Sequence, residues 1–398
     1  MTESNRLRLG VAGLGRAFTL MLPTLTRHPR VELVAAADPR AEARTRFTSD
    51  FGGRAYESVA ALCDDPAVEA VYVATPHQLH AEHAMTAAAR GKHLLVEKPM
   101  AITLDEATRM IDAARAAAVR LVVGPSHSFD APIARARRII ASGAVGKVRM
   151  ITALDYTDFL YRPRRPEELV TARGGGVMFS QAAHQVDIVR LLAGGRVSLV
   201  RALTGGWDPS RATEGAYTAL LTFEDGAFAS LAYSGYGHFD TDEFCGAMTE
   251  LGQPKPDTYA GARRALARLG DAGAEAAAKA ASNYGGSDFR TSDARAPWHE
   301  HFGLVVVSCE RADLRPMPNG VMIYGDDERR LDPLSKPEVP RAEVIDELVD
   351  AVRLDRPPLH DGEWGRATLE VCVAMLHSAR SNADVRLLYQ SALREMPA

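Results

Sequence analysis

The stretch Leu7-Arg8-Leu9-Gly10-Val11-Ala12-Gly13-Leu14-Gly15-Arg16-Ala17-Phe18 decides the fold. A nearly continuous apolar run stops at Gly-x-Gly and gives way to a helical pattern. That order predicts a buried strand, a tight turn and a helix N-terminus. Gly13 permits the turn, Gly15 lets backbone approach a pyrophosphate, and the helix N-terminus favours its negative charge. The third fingerprint position holds Phe18 in place of a small residue, so the motif is incomplete. The context strengthens it. The next apolar run, Val31 to Ala37, ends at Asp38, where a carboxylate accepts from both ribose hydroxyls and repels a 2′-phosphate. This favours NAD, while Arg40 keeps NADP open. A turn Asp before Pro39 is the structural alternative. Gly13, Gly15, Arg16, Ala17, Asp38 and Arg40 are the candidate cofactor contacts.

Working outward, apolar runs at residues 70–74, 93–96 and 120–124 alternate with helical patterns such as 81–90 and 104–118. Short, fully apolar strands between helices imply a parallel sheet covered on both faces, the doubly wound α/β class. Beyond a helix at 131–141 the pattern changes. Longer, partly alternating strands are expected at 146–158, 197–206, 216–223, 227–233 and 304–309, with helices near 181–192, 341–352 and 365–379. The expected organisation is a dinucleotide-binding domain over 1–125 and an α+β domain over 126–398, with an open, mostly antiparallel sheet. Residues 250–297 read as a peripheral insertion, with a helix expected over the Ala-rich stretch 262–281 between polar, Gly/Pro-containing loops, and with a lid or subunit contact as the alternative.

Composition narrows the class. The 398 residues carry 47 Lys+Arg against 51 Asp+Glu, a net charge of -4, which gives no basic footprint for nucleic acid. No apolar run reaches the ~20 residues of a membrane helix, and the N-terminus lacks a signal-peptide layout. Cys63, Cys245, Cys309 and Cys372 form no Cys-x-x-Cys pair. A reduced, cytoplasmic enzyme from a GC-rich bacterium is the expectation. His77, His80 and His83 have metal-like spacing but no paired carboxylate, so no metal is expected.

Glu97-Lys98-Pro99 sits at the C-terminal end of an expected parallel strand, where ligands bind in such sheets. The ammonium of Lys98 can orient a substrate hydroxyl and lower its pKa; a strand-end salt bridge is the alternative. Together with Gly13-Leu14-Gly15, Asp38, Ala74-Thr75-Pro76 and His80, Gly91-Lys92-His93, and Gly174-Gly175-Gly176 followed by His184 and Asp187, this chain resembles the Gfo/Idh/MocA oxidoreductases. The resemblance spans nearly the whole chain. It implies catalytic roles for Lys98 and His184, and a cofactor site lined by Thr75, Pro76, His77, His80, Glu97 and Lys98. It also implies a homo-oligomer, dimer or tetramer, built on the second domain's sheet.

One departure stands out. Many dehydrogenases of this family carry Asp four residues before the His, where this chain has Ser180. A hydroxyl binds or relays a proton but holds no negative charge near neutral pH. Asp187, one turn beyond His184, can orient it or form a surface salt bridge.

The run Leu154 to Glu168, with Phe179 to Asp187 and Tyr233 to Asp240, is similar to bacterial phthalate 4,5-cis-dihydrodiol dehydrogenases. Arg162, Arg164 and Arg165 offer forked donors for ring carboxylates, and Tyr156 and Tyr161 can cover a ring face. A surface Arg-Pro loop is the structural alternative. Ser180 and His127 join the candidate substrate residues, while His238, His299 and His301 are weaker pocket candidates. The expected activity is NAD-dependent oxidation of a carboxylated cyclic cis-dihydrodiol to a catechol, 4,5-dihydroxyphthalate in its sharpest form. The alternatives are a sugar or inositol dehydrogenase on the same scaffold and a non-catalytic NAD(P)-sensing regulator.

Overall fold

The computed structural model describes residues 6–290 and 296–393. The chain divides into two compact units.

The first unit is built on a six-stranded parallel sheet: β1 (Leu7–Ala12), β2 (Val31–Ala37), β3 (Arg54–Tyr56), β4 (Ala70–Val73), β5 (His93–Val96) and β6 (Leu121–Val123). Their order is β3-β2-β1-β4-β5-β6, the doubly wound arrangement of dinucleotide-binding folds. The connecting helices are α1 (Arg16–Arg27), α2 (Ala41–Phe51), α3 (Val59–Cys63), α4 (His80–Ala88) and α5 (Leu104–Ala116). All four residues of β4 are buried, as a strand covered by helices on both faces requires. Helix α5 starts at a capping box in which Thr103 and Glu106 satisfy each other's backbone N–H groups.

The second unit opens with α6 (Ala131–Ala141) and carries a nine-stranded sheet. Its strands are β7 (Val148–Tyr156), β8 (Val197–Gly205), β9 (Ala216–Phe223), β10 (Phe228–Ser234), β11 (Leu304–Cys309), β12 (Ala312–Met317), β13 (Gly320–Gly325), β14 (Arg329–Pro333) and β15 (Val385–Arg386). Their order is β14-β13-β12-β11-β7-β10-β9-β8-β15, antiparallel except where β10 runs parallel to β7. Along β9 buried and exposed residues alternate, so one face is core and the other is open. Helix α7 (Ala183–Ala193) follows a π-helical turn at Met178–Ala182.

The domain division and the insertion differ from the sequence expectation. The first unit also takes in residues 276–290 and 339–366, which the expected division at residue 125 assigns to the second. Helix α10 (Ala342–Arg353) is held there by ion pairs from Arg30 to Asp346 (2.7 Å) and from Arg353 to Glu69 (2.8 Å). The chain closes with α11 (Gly362–Ser381). The single helix expected in the insertion is two, α8 (Gly261–Ala267) and α9 (Ala272–Ser282), separated at Gly270, whose φ of +81° no helix accommodates. Of the 250–297 insertion, residues 291–295 lie outside the described residues.

Candidate functional site

The cofactor half lies at the C-terminal ends of β1, β2, β4 and β5. Gly13 has φ +94°, and a Cβ there would stand 2.8 Å from the Ala74 carbonyl oxygen. Only glycine fits this turn. Around Gly15 a Cβ would meet nothing within 4 Å, so backbone at the start of α1 faces open space of the kind a pyrophosphate needs. Asp38 is buried at the end of β2. Its Oδ2 accepts from the Leu14 N–H (2.8 Å), and its Oδ1 accepts from the backbone N–H of Arg40 (2.9 Å). The Arg40 guanidinium also donates to both oxygens, Nε to Oδ1 at 3.0 Å and Nη2 to Oδ2 at 3.1 Å. These residues fit a dinucleotide: a glycine cradle for phosphates and a carboxylate for ribose. Arg16 is exposed, and Ala17 is half-buried beside it in the first turn of α1.

His80 joins two of the loops. Its Nδ1 lies 2.9 Å from the Pro99 carbonyl and its Nε2 lies 2.8 Å from the Thr75 carbonyl. The ring is fully buried. Burial outweighs the two acceptors and pushes its pKa down to about 4, so at pH 7 it is neutral and donates through one nitrogen. His83 Nδ1 meets the Thr75 hydroxyl at 3.0 Å, and the His77 ring lies 5.6 Å from that of His80. Pro76 starts the short turn carrying His77. Among the described residues no cluster suited to a metal ion occurs. Glu97 is buried and accepts from the Tyr72 hydroxyl. Burial raises its pKa, against the opposing pull of neighbouring Lys98. Lys98 is half-buried, and its peptide bond to Pro99 is cis.

In the second unit, the π-helical turn brings Ser180 and then His184 round at the start of α7. The Ser180 hydroxyl donates back to the Gly176 carbonyl. The His184 ring lies 4.7 Å from that of His127 and 5.1 Å from Phe302, and His127 lies 5.1 Å from Phe302. Asp130 Oδ2 holds His127 Nδ1 at 2.7 Å. Tyr233 stacks on Phe302 at 6.3 Å and on Tyr217 at 5.6 Å. The Tyr217 hydroxyl donates to Gln185 on α7 (2.9 Å). Two imidazoles thus stand at the end of a wall of flat rings. Asp187 is buried rather than in a surface salt bridge, and it accepts from Ser128 and from Thr368 (2.9 Å).

The three consecutive-looking arginines have different surroundings. Arg162 pairs with Asp158 (3.1 Å) and Glu250 (3.9 Å), and Arg165 with Glu167 (3.3 Å) and Glu168 (3.4 Å). Arg164 has no carboxylate partner for its side chain among the described residues. It lies over the Phe159 ring at 3.6 Å and donates from Nη2 to the Phe159 carbonyl (2.7 Å), and its Nε is buried without a partner. Burial pushes its pKa down to about 10, against the charge of Glu168 and together with the charges of Arg162 and Arg211. Tyr161 donates to Asp208 (2.9 Å) beneath the guanidinium of Arg263, 3.6 Å from its ring centre. Tyr156 sits on the sheet face opposite Asp155 and Tyr233, its ring 6.2 Å from Phe239. His299 and His301 bond the Ser335 and Met248 carbonyls, at 2.8 and 3.0 Å.

Sequence reasoning did not single out Phe302, Tyr217, Gln185 or Arg263. Phe302 follows a polar Glu300-His301 pair, and Gln185 lies inside the His184 helix, so neither stands out in a linear pattern.

Residues 7–125 match the oxidoreductase family with NAD-binding Rossmann fold, and residues 133–248 match the GFO/IDH/MocA C-terminal domain. The chain belongs to the GFO/IDH/MocA family. It is an NAD(P)-dependent oxidoreductase whose first unit binds NAD. Over 377 residues it is 48% identical to a 1-carboxy-3-chloro-3,4-dihydroxycyclohexa-1,5-diene dehydrogenase of Comamonas testosteroni, covering 94% of this chain and 95% of that one. A Bordetella bronchiseptica RB50 protein solved as a dehydrogenase candidate shares 43% identity and superimposes with a TM-score of 0.90, covering 96% of this chain and all 100% of that one. Levoglucosan dehydrogenase, solved with NADH and levoglucosan, shares the fold at 18% identity and TM-score 0.72, over 96% and 99% of the two chains.

Proposed function

We propose that this GFO/IDH/MocA oxidoreductase oxidises a carboxylated cyclohexadiene cis-dihydrodiol to the corresponding catechol with NAD. The observation that carries the reading is Arg164. A guanidinium whose Nε is buried and unpartnered, and whose pKa is pushed down by burial, is stabilised by an arriving carboxylate. Polyols and sugars bring no such charge. The similarity to a dehydrogenase whose name describes a carboxylated dihydroxycyclohexadiene supports the same substrate class.

Held by the Gly13–Gly15 turn and Asp38, NAD would supply the hydride acceptor for a hydroxyl-bearing ring carbon. Lys98 holds the hydroxyl on that carbon and favours loss of its proton. His184, with His127 beside it, contributes as base or hydrogen-bond partner. The Phe302, Tyr233 and Tyr217 rings form the apolar wall for a flat ring substrate. The hydroxy-ketone product tautomerises, and aromaticity draws the reaction forward.

The finer reading is the 4,5-dihydrodiol of phthalate, which carries two adjacent carboxylates. The supporting feature is Arg263, a second guanidinium with a buried, unpartnered Nε on the same 159–161 turn. The test is absorbance of reduced nicotinamide with a panel of substrates. The panel holds phthalate 4,5-cis-dihydrodiol, a benzoate cis-dihydrodiol, uncharged benzene cis-dihydrodiol, inositol and glucose. Rapid reduction of NAD with the carboxylated dihydrodiols alone is expected. Reduction with polyols alone overturns the substrate class and the role of Arg164, while leaving the fold assignment standing.

A further inference from the structure

The departure from the dinucleotide fingerprint and the insertion meet at one place in the first unit. Phe18, in the position usually held by a small residue, is fully buried with its ring edge-on to Tyr284, 5.1 Å away. Tyr284 is itself fully buried. It lies 6.4 Å from Phe51 and 5.2 Å from Phe289, and its hydroxyl donates to Asp50 at 2.8 Å. The next residue, Gly285, has φ +80°, and a Cβ there would come 2.7 Å from the Ala43 Cα. The backbone at 284–285 is therefore seated against the first turn of α2, just past Asp38-Pro39-Arg40.

That docking has a consequence for Arg40. Its Nη1 donates to the Tyr284 carbonyl (3.1 Å) and its Nη2 to the Leu14 carbonyl (2.9 Å), while Nε and Nη2 reach Asp38. Every guanidinium nitrogen is committed. The four acceptor positions of Asp38 are taken by Leu14 and Arg40. Ribose hydroxyls that bind Asp38 replace the Arg40 side chain there, and the two carbonyls remain to hold it. An arginine two residues past the ribose-reading carboxylate would otherwise be free to turn toward a 2′-phosphate.

We propose that residues 283–289 are a cofactor-specificity clasp: by seating the Tyr284 carbonyl on Arg40, the insertion keeps that guanidinium from a 2′-phosphate and makes the protein select NAD over NADP. The proposal is independent of the substrate reading. It rests on the ribose-facing end of the first unit alone.

Binding tests it directly. NADH and NADPH would be titrated by nicotinamide fluorescence, and AMP and adenosine 2′,5′-bisphosphate by calorimetry. The wild-type protein is expected to bind NADH at least about tenfold more tightly than NADPH. Arg40→Lys keeps the charge but cannot span three acceptors. Tyr284→Ala undocks the segment. Each is expected to raise the NADPH-to-NADH affinity ratio about tenfold, chiefly through tighter NADPH and bisphosphate binding. The double variant Tyr284→Ala/Arg40→Met loses that gain. Should Tyr284→Ala fail to fold, Arg40→Lys carries the test, since the side chain it alters is one-quarter exposed. A wild type that binds the two cofactors equally, or an Arg40→Lys protein with an unchanged or lower ratio, overturns the clasp.

Discussion

Arg164 shows how much a single unpaired donor constrains a reading. Its neighbours Arg162 and Arg165 are matched by acids, so a count of arginines in the loop overstates the charge on offer. What remains is one cation stacked on Phe159, anchored through its backbone N–H to Glu275 (2.7 Å). Glu275 in turn is held by Arg211 at 2.8 Å, in a pair almost fully buried. A buried guanidinium N–H that lacks an acceptor costs free energy, and a substrate carboxylate offsets that cost on binding. Arg164→Met removes the cation and keeps the stem. The expected effect is a rise in KM for carboxylated dihydrodiols corresponding to roughly 1.5–3 kcal/mol, about tenfold to a hundredfold. KM for the uncharged benzene cis-dihydrodiol should change less than about twofold. Steady-state kinetics on the two substrates checks this, and equal losses on both would remove Arg164 as a carboxylate reader.

At the scale of elements, five strands of the first sheet, β1, β2, β4, β5 and β6, were legible because each is a mostly buried apolar run, whereas β3 is three residues with Arg54 exposed and gave no such run. The edges of the second sheet were not. Strands β12 and β14 mix Arg, Asp and Pro with apolar residues, and their half-buried positions give neither a continuous run nor a clean alternation. The motifs at strand ends were visible as motifs, but the tie between two of them was not. His80 on α4 links the loop after β4 to the loop after β5 through the Thr75 and Pro99 carbonyls, a contact between segments far apart in sequence. This tie makes a pH prediction. The folded-state pKa of His80, about 4, lies below the ordinary value of 6.5. Between these values the unfolded chain binds a proton that the folded protein does not, so stability falls as pH drops from 6.5 toward 4. The loss grows to about 3 kcal/mol from this residue and is complete below pH 4. Urea denaturation from pH 7 to pH 4 measures it. His80→Gln is expected to start less stable at pH 7 and to flatten the slope, and an identical slope would exclude His80 as its source.

For the whole molecule, the sequence places the main boundary near residue 125 but hides the two returns to the first unit. Residues 339–366 carry α10, whose buried Val344, Ile345, Leu348 and Val349 would fit almost any core, and only long-range partners such as Glu69 tell which. The second unit carries an exposed apolar face. Its sheet buries one face, with α7 packed on β7, while the other face of β8, β9 and β10 shows large apolar residues to solvent. Leu203 is 57% exposed, Leu220 57% and Phe228 49%. Scattered exposed leucines need no explanation, but apolar side chains gathered on one sheet face mark a surface that another chain covers. A second copy of this chain is the occupant to test, since the resemblance noted from the sequence implies a homo-oligomer built on this sheet. A Leu220→Glu/Phe228→Glu protein puts two charges on that face without touching Asp38, His184 or Arg164. Light scattering after size exclusion should report a lower mass than for the wild type, with NADH affinity unchanged. The contrary result, an oligomer of the same mass, would move the interface to another face of the protein.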